Sequence, residues 1–346
     1  MKKIYLIFGV ITFLFYSCDS DINVNTDYEE ITVIMGLLDQ SQSIQYVQVT
    51  KTFLGDDPAP QMATDADNFH YNPDSLLVEL HEINSSGDTV DSRVLKDTIF
   101  LKDVGDFAID NNIVYYLETP TDYDDPNILD VLRSDRNYVI TVLNIQTNNT
   151  ATSNTGIIGN SKWRLDGGNR QFLENYEFFQ ANDDVINFYN LENGVNNATP
   201  RKPRWDPEKN PGVAIYQPIL IFNYFEDGIE KSLEWRLAEK QAEDSDVTMN
   251  AAQFWNFLSS ADTLKSNLPR TFKDISIEIT LGSQDLKTYM LVNEEITGIV
   301  QERPAFSNIE NGLGLFSSRY IVTYPHLNLS ASSLDYLKEE LDRNFQ

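Results

Sequence analysis

Ile31-Thr32-Val33-Ile34-Met35-Gly36-Leu37-Leu38, the polar step Asp39-Gln40-Ser41-Gln42-Ser43, then Ile44-Gln45-Tyr46-Val47-Gln48-Val49-Thr50-Lys51 is the stretch that decides the fold class. Ile31, Val33 and Met35 alternate with Thr32 and Ile34. After the polar step, Val47, Val49 and Lys51 alternate with Tyr46, Gln48 and Thr50, running on to Phe53. Successive side chains of a strand point to opposite faces, so a period of two marks a strand. Two such runs about a short polar turn predict an antiparallel hairpin.

The same period returns downstream. Leu76, Val78 and Leu80 alternate with Glu79 and His81, and Asn84-Ser85-Ser86-Gly87-Asp88 reads as a turn. Arg93 to Leu101, Val114 to Leu117, Val139 to Leu143 and Thr150 to Ile158 read as further strands. Between them lie a long loop from Gly55 to about Pro73, an acidic loop from Asp122 to Asn127 and a polar turn at Thr147-Asn148-Asn149. Strands at this spacing, with turn signals and little helix, describe an all-β sandwich. Tyr138 to Ile158 looks like the last hairpin of an immunoglobulin-like domain. The expected fold is mainly β, with an immunoglobulin-like β-sandwich over residues 30–160 followed by a mixed α+β domain over 161–346.

In that second part, Trp163 to Asn197 carries aromatics without clean periodicity, and Pro200 to Gly212, with four prolines, reads as a loop. Val213 to Phe225 reads as a long strand in which Pro218 predicts an edge or a bulge. Lys231 to Lys240 returns with Leu233, Trp235 and Leu237 on one face. Ala251, Phe254, Trp255 and Leu258 fall at i, i+3, i+4 and i+7 and predict an amphipathic helix. Ile275, Ile277 and Ile279 predict a strand, and Ser283 is placed to cap a helix presenting Leu286, Tyr289 and Met290. Tyr320 to Tyr324 is a strand, and Ser332 with Asp335 resembles a capping box before Leu334, Leu337 and Leu341.

Upstream of the hairpin the chain is of another kind. Lys2 and Lys3 precede an almost unbroken apolar run from Ile4 to Phe15, and Ser17 stands before Cys18, the only cysteine. Two basic residues, a short apolar stretch and a small residue before a processing point predict a secretory signal peptide over residues 1–17. The run is about a dozen residues where a membrane-spanning helix needs about 20, so it predicts a segment to be cut. A cysteine directly after the cut resembles the lipobox of bacterial lipoproteins, although bulky Tyr16 stands where a small residue is usual. The resemblance implies a diacylglyceryl group on Cys18. Asp19-Ser20-Asp21 resembles the surface-export signal of Bacteroidota lipoproteins, with Asp19 and Asp21 as its acidic residues. The alternative is an ordinary signal peptide followed by an accidental cysteine. Residues 18–30 are polar and acidic and are expected to form a tether.

The 346 residues carry 53 acidic and 26 basic side chains, a formal charge of −27 that becomes −29 once Lys2 and Lys3 leave with the signal. So acidic a body repels nucleic acid, and no basic stripe offsets it. It also repels anionic head groups, so membrane attachment is expected from acyl chains on Cys18. With Cys18 lipidated, no thiol is left for a disulfide or a cysteine metal site. Stability then rests on apolar cores, which the 40 aromatic residues among all 346, five of them within residues 1–17, can supply.

No catalytic residue, metal site or cofactor is expected. His70, His81 and His326 are the only histidines and form no His-Glu-x-x-His pair. There is no Gly-x-Ser-x-Gly elbow, phosphate-binding glycine loop or dinucleotide fingerprint. A two-carboxylate hydrolase needs no fixed spacing, but 53 acidic residues make a chance pair inevitable. Asp122-Tyr123-Asp124-Asp125 and Asp183-Asp184 read either as solvated loops or as calcium ligands. Pro200-Arg201-Lys202-Pro203-Arg204-Trp205 is the one basic, aromatic island. Arg201, Lys202, Arg204 and Trp205 are candidate contacts for an acidic partner or a sugar ring. Against that stands a rigid exposed loop whose charges pair with neighbouring acids.

The most distinctive tract of the mature chain is Arg303-Pro304-Ala305-Phe306-Ser307-Asn308-Ile309-Glu310-Asn311-Gly312-Leu313-Gly314-Leu315-Phe316. Gly312 and Gly314 permit positive φ or close backbone approach, while Leu313, Leu315 and Phe316 need burial, so the tract is expected to be a loop folded back onto the core. It resembles the Asn-Ile-x-x-Gly-Leu-Gly-x-Phe signature of an uncharacterised family of Bacteroidota lipoproteins often encoded beside TonB-dependent outer-membrane receptors. The resemblance implies a lipid-anchored, outward-facing outer-membrane protein with a receptor-associated role. The expected function is non-enzymatic binding of a partner receptor or its nutrient ligand. An adhesin or envelope-assembly module is the second reading, and a carboxylate-based hydrolase the third.

Overall fold

A computed structural model describes residues 30–55, 57–101, 112–122, 128, 130–159, 163–166, 185–186, 188–189, 202–205, 212–241, 250–294 and 305–346. The chain is mainly β, as the alternating runs predict. The opening hairpin forms as read: β1 (Thr32–Asp39) and β2 (Ile44–Lys51) pair antiparallel. A short helix α1 (Ala59–Met62) lies in the long loop before β3 (Leu76–Ile83). Then follow β4 (Thr89–Val94), β5 (Lys96–Phe100), β6 (Asn112–Glu118), β7 (Asn137–Asn144) and β8 (Asn149–Gly156).

These eight strands make two opposed layers, ordered β1-β2-β6-β5 and β4-β3-β7-β8. Their inner faces share one core of Ile34, Leu38, Val47, Val49 and Tyr115 from the first layer and Leu76, Val78, Leu80, Tyr138, Ile140 and Val142 from the second. The single strand expected over Arg93 to Leu101 is two strands in different layers. Leu95 N donates to Val78 O at 2.9 Å, after which the chain crosses and Lys96 pairs with Tyr116. Leu95 is buried at the crossing, and no glycine or proline between Arg93 and Leu101 marks the change of layer.

The rest of the chain comprises β9 (Trp163–Asp166), β10 (Val185–Ile186), β11 (Lys202–Trp205), β12 (Val213–Glu226), β13 (Ile229–Arg236), β14 (Lys240–Gln241), α2 (Ala251–Ser260), β15 (Arg270–Ser283), α3 (Gln284–Asn293), β16 (Gly312–Leu329) and α4 (Ala331–Glu339). Strands β13-β12-β15-β16 continue the sheet of β1, in the order β13-β12-β15-β16-β1-β2-β6-β5. The second core lies on one face of β12, β15 and β16 under α2 and α4. Phe222, Phe254, Trp255, Leu258, Ile277, Val322 and Leu337 are all within it.

Strand β16 joins the two cores. Its first part, Gly312 to Arg319, runs parallel to β1, and its later part, Arg319 to Leu327, pairs antiparallel with β15. The tract expected to be a loop is therefore strand from Gly312 onward. Its glycines make the approach possible: a Cβ at Gly312 would stand 2.7 Å from Thr32 O, and at Gly314, where φ is +114°, 2.1 Å from Ile34 O. Phe316 and Ile309 enter the first core and Leu315 is buried, but Leu313 is 43% exposed, against expectation. Strand alternation turns it away from the sandwich core.

Other expectations are corrected by tertiary neighbours. Pro218 lies in β12 between two partners, and neither at an edge nor at a bulge, since the register shifts occur at Val213/Ile215 and Asn223/Tyr224. It is tolerated because β13 pairs only as far as Ile219 and β14 resumes at Tyr216. In that gap Leu237 N donates to Pro218 O at 3.0 Å, while Gln217 Nε2 reaches Leu237 O at 3.4 Å. The cap of α4 is Ser330, whose Oγ accepts from Ser333 N at 3.2 Å, and Ser332 donates to Tyr189 O instead. Ser283 does occupy the N-cap position of α3, but its hydroxyl bonds to Ser317 of β16 and makes no cap.

Candidate ligand-binding crevice

Strand β1 is apolar at both parities. Ile34 and Leu38 fill the sandwich core, while Val33, Met35 and Leu37 take the opposite face. A strand solvated on one side would carry polar residues there. Beside them, β16 places Leu315 opposite Met35 and Arg319 opposite Asp39 in the parallel register. Helix α3 stands over this outer face. Leu286, Tyr289 and Met290 are spaced i, i+3, i+4, so they share one side of the helix and form a wall. Between that wall and Met35, Leu37, Ile44, Tyr46 and Leu315 lies a cavity of about 510 Å³.

One end of the cavity is polar and tightly organised. Asp39, only 2% exposed, accepts at Oδ1 from Ser41 N (3.0 Å) and Ser41 Oγ (2.5 Å), and at Oδ2 from Arg319 Nε (3.1 Å). Gln45, equally buried, accepts from Asp39 N at 2.7 Å. Its amide donates to Asp39 O (2.9 Å), Gln42 O (3.0 Å) and Thr119 Oγ1 (2.9 Å). Buried polar groups persist when each has its partners, and these do. The Arg319 side chain, by contrast, is 40% exposed. A buried carboxylate behind a partly exposed guanidinium turns the positive end of the pair towards the cavity.

Among the described residues the most strongly held carboxyl is elsewhere. Glu226 is 3% exposed. Hydrogen bonds from Lys231, then Arg270 and Ser266, outweigh its burial and hold it down to about 2. Arg270, 1% exposed, also donates to Arg343 O at 2.7 Å, and its backbone brackets Asn344 and Gln346, so the cluster fastens the C-terminus to β15. Burial, with the Asp97 charge second, pushes the Tyr115 phenol up to about 12. Burial likewise raises the Tyr138 phenol. These are groups of the framework.

No protein-family model matches the sequence, and no curated protein matches it. The residues must therefore speak for themselves. Cys18, Asp19, Asp21 and Arg201 lie outside the described residues. So do Tyr123 to Asn127, Asp183 and Asp184. Lys202, Arg204 and Trp205 fall on β11, whose backbone pairs with β9 (Lys202 with Asp166, Trp205 with Trp163), where a loop was expected. A two-stranded ribbon accepts Pro203 because half of its backbone groups face away from the partner strand.

The histidines are dispersed. His70 is buried beside Phe69, His81 bonds to Ser92 at 2.8 Å, and His326 Nδ1 lies 2.8 Å from Asp274 Oδ2. Among the described residues no three His, Cys, Asp or Glu side chains gather as a metal site. The crevice is what the sequence reading missed. Asp39 to Ser43 read only as a short polar turn, and Arg319 lies 280 positions from Asp39. The available signal was β1 itself, whose apolar residues at both parities require cover on both faces.

Proposed function

We propose that this chain is a non-enzymatic binding protein of the outer membrane, anchored by acyl chains on Cys18 and facing the cell exterior. On this reading it engages a partner receptor or its nutrient ligand in a TonB-dependent uptake system. The observation that carries the binding part is the crevice: an apolar trough with one partly exposed cation at its end. Asp39, the one acidic residue among its described lining, is already tied by three hydrogen bonds. Such a lining suits holding a ligand better than acid–base turnover, which needs titratable groups poised near the working pH. The anchoring part is supported by Lys2-Lys3, the apolar run to Phe15 and Cys18, and by the acidic Asp19 and Asp21.

The framework supports an immunoglobulin-like reading of residues 30–160. The orders β1-β2-β6-β5 and β8-β7-β3-β4 match the A-B-E-D and G-F-C-C′ layers of that fold. Tyr138, near the start of the seventh strand, accepts from Arg133 N at 2.9 Å through its hydroxyl, the pattern of a tyrosine corner. This same framework favours a second reading, an adhesin or envelope-assembly module, because such sandwiches serve widely as surface domains.

The test is surface proteolysis of intact cells with fractionation, comparing the native chain with Cys18→Ala and with Asp19→Ala/Asp21→Ala. Digestion in intact cells, lost in the acidic-residue variant, together with co-purification of an outer-membrane receptor, is expected. Protection of the native chain would remove the outward-facing assignment. A deletion strain with normal uptake and lost surface attachment would favour the adhesin.

A further inference from the structure

We infer that the crevice under α3 takes an amphipathic carboxylate, with an aliphatic or aromatic body in the trough and its carboxylate on the Arg319 guanidinium. The inference rests on the binding part of the function proposed above and is independent of where the chain is anchored.

Three features select this class. The trough is lined along its length by Met35, Leu37, Ile44, Leu286 and Leu315, and its volume of about 510 Å³ lies in the range of small-ligand sites. An apolar body there is stabilised by about 25 cal/mol for each Å² removed from water. At the polar end, Arg319 spends only Nε on Asp39. Among the described residues its two terminal nitrogens make no hydrogen bond, although the side chain is partly exposed. A planar fork whose terminal N–H groups have no partner among the described residues fits a carboxylate edge, where a lysine would offer only a point charge.

The third feature is that the counter-charge stands behind the cation. Asp39 is buried, takes two further hydrogen bonds from Ser41 and holds Arg319 through Nε, which fixes the guanidinium before any ligand arrives. Among the described lining residues a cationic ligand finds no exposed acid, and a neutral one offers the fork at most a single uncharged acceptor. In a chain of formal charge −27, one cation at the end of an apolar trough is a local selection for an anion. Screening over about 8 Å at physiological salt keeps distant acids from cancelling it.

The measurement is calorimetric titration of the full mature chain with decanoate and, separately, with decan-1-ol, which has the same tail and no charge. Saturable binding of one decanoate is expected. A charge-assisted hydrogen bond is worth about 1.5–3 kcal/mol, so decan-1-ol should bind about 10- to 100-fold more weakly. Arg319→Lys keeps a cation on Asp39 and thereby the fold, but loses the fork. It should weaken decanoate about tenfold and leave decan-1-ol unchanged. Met290→Glu, at a position 36% exposed on the α3 wall, should weaken both probes, decanoate more than decan-1-ol.

Equal binding of the two probes, an unchanged decanoate affinity in Arg319→Lys, or no binding to a folded chain would each overturn the inference. Binding that is present without the lipid and lost in the lipidated chain would also overturn it, by giving the trough to the protein's own anchor. A chain that co-purifies with a receptor yet ignores decanoate loses this inference and keeps the receptor reading. A chain that binds decanoate but is protected in intact cells loses only the outward-facing location.

Discussion

Replacing Gly314 by alanine tests how the two cores are joined. The glycine sits at φ +114°, outside the conformations an L-residue adopts without strain, which costs about 1–3 kcal/mol. The added Cβ would stand 2.1 Å from Ile34 O and 3.0 Å from Ile34 C. A carbon normally keeps about 3.3 Å from a carbonyl oxygen, so β16 must withdraw from β1 by about 1 Å. The obstacle is backbone, and no rotamer change relieves it. Loosening even two or three bonds of the parallel ladder between Thr32–Asp39 and Gly312–Arg319 adds about 1 kcal/mol each.

The expected loss is about 3–6 kcal/mol, a large part of the roughly 5–15 kcal/mol that stabilises a folded domain. Because β16 serves both cores, the thermal transition should fall by roughly 10 °C or more and separate into two steps. Scanning calorimetry reads both effects. Leu313→Ala, one residue away at an exposed position, should change stability by less than about 0.5 kcal/mol. A loss below about 1 kcal/mol for Gly314→Ala, with one sharp transition, would refute the claim that close approach at this glycine holds the sheet together.

Two other perturbations probe the framework. Glu226→Gln leaves Arg270 buried without its counter-charge and should cost about 3–5 kcal/mol by urea denaturation. In the native chain, the unfolded carboxyl takes up its proton near 4.5 while the folded one resists to about 2, so this contribution is complete above about pH 4.5 and disappears as the pH falls towards 2. The variant should show a flatter acid limb, and an unchanged limb would count against the cluster. Tyr138→Phe removes the acceptor of the Arg133 N–H and should cost about 1–3 kcal/mol, measured as a lower urea midpoint at unchanged slope.

Local structure was legible in the residues alone. Alternation in Ile31 to Lys51, Leu76 to Leu80 and Val139 to Leu143 is a property of neighbouring residues, and the strands form where it occurs. Ala251, Phe254, Trp255 and Leu258 set the buried side of α2 for the same reason, since a helix repeats every 3.6 residues whatever lies against it. The two glycines of the Asn308 to Phe316 tract allowed positive φ or a close backbone approach without naming the backbone approached.

Partnership between distant segments came only with the closed fold. Hydrogen bonding between strands carries no sequence marker of distance, so nothing near Gly312 says that β16 pairs with β1, the first strand of the fold. Leu95 does not show that the chain changes layers, and Ser330 prevails over Ser332 only because β16 ends at Leu329. The crevice is the extreme case. Its cation and its counter-charge come from opposite ends of the chain, and its apolar wall comes from a helix whose inward side depends on the sheet beneath it. Burial is a sum over whatever neighbours the fold supplies, and those neighbours exist only once the chain has closed on itself.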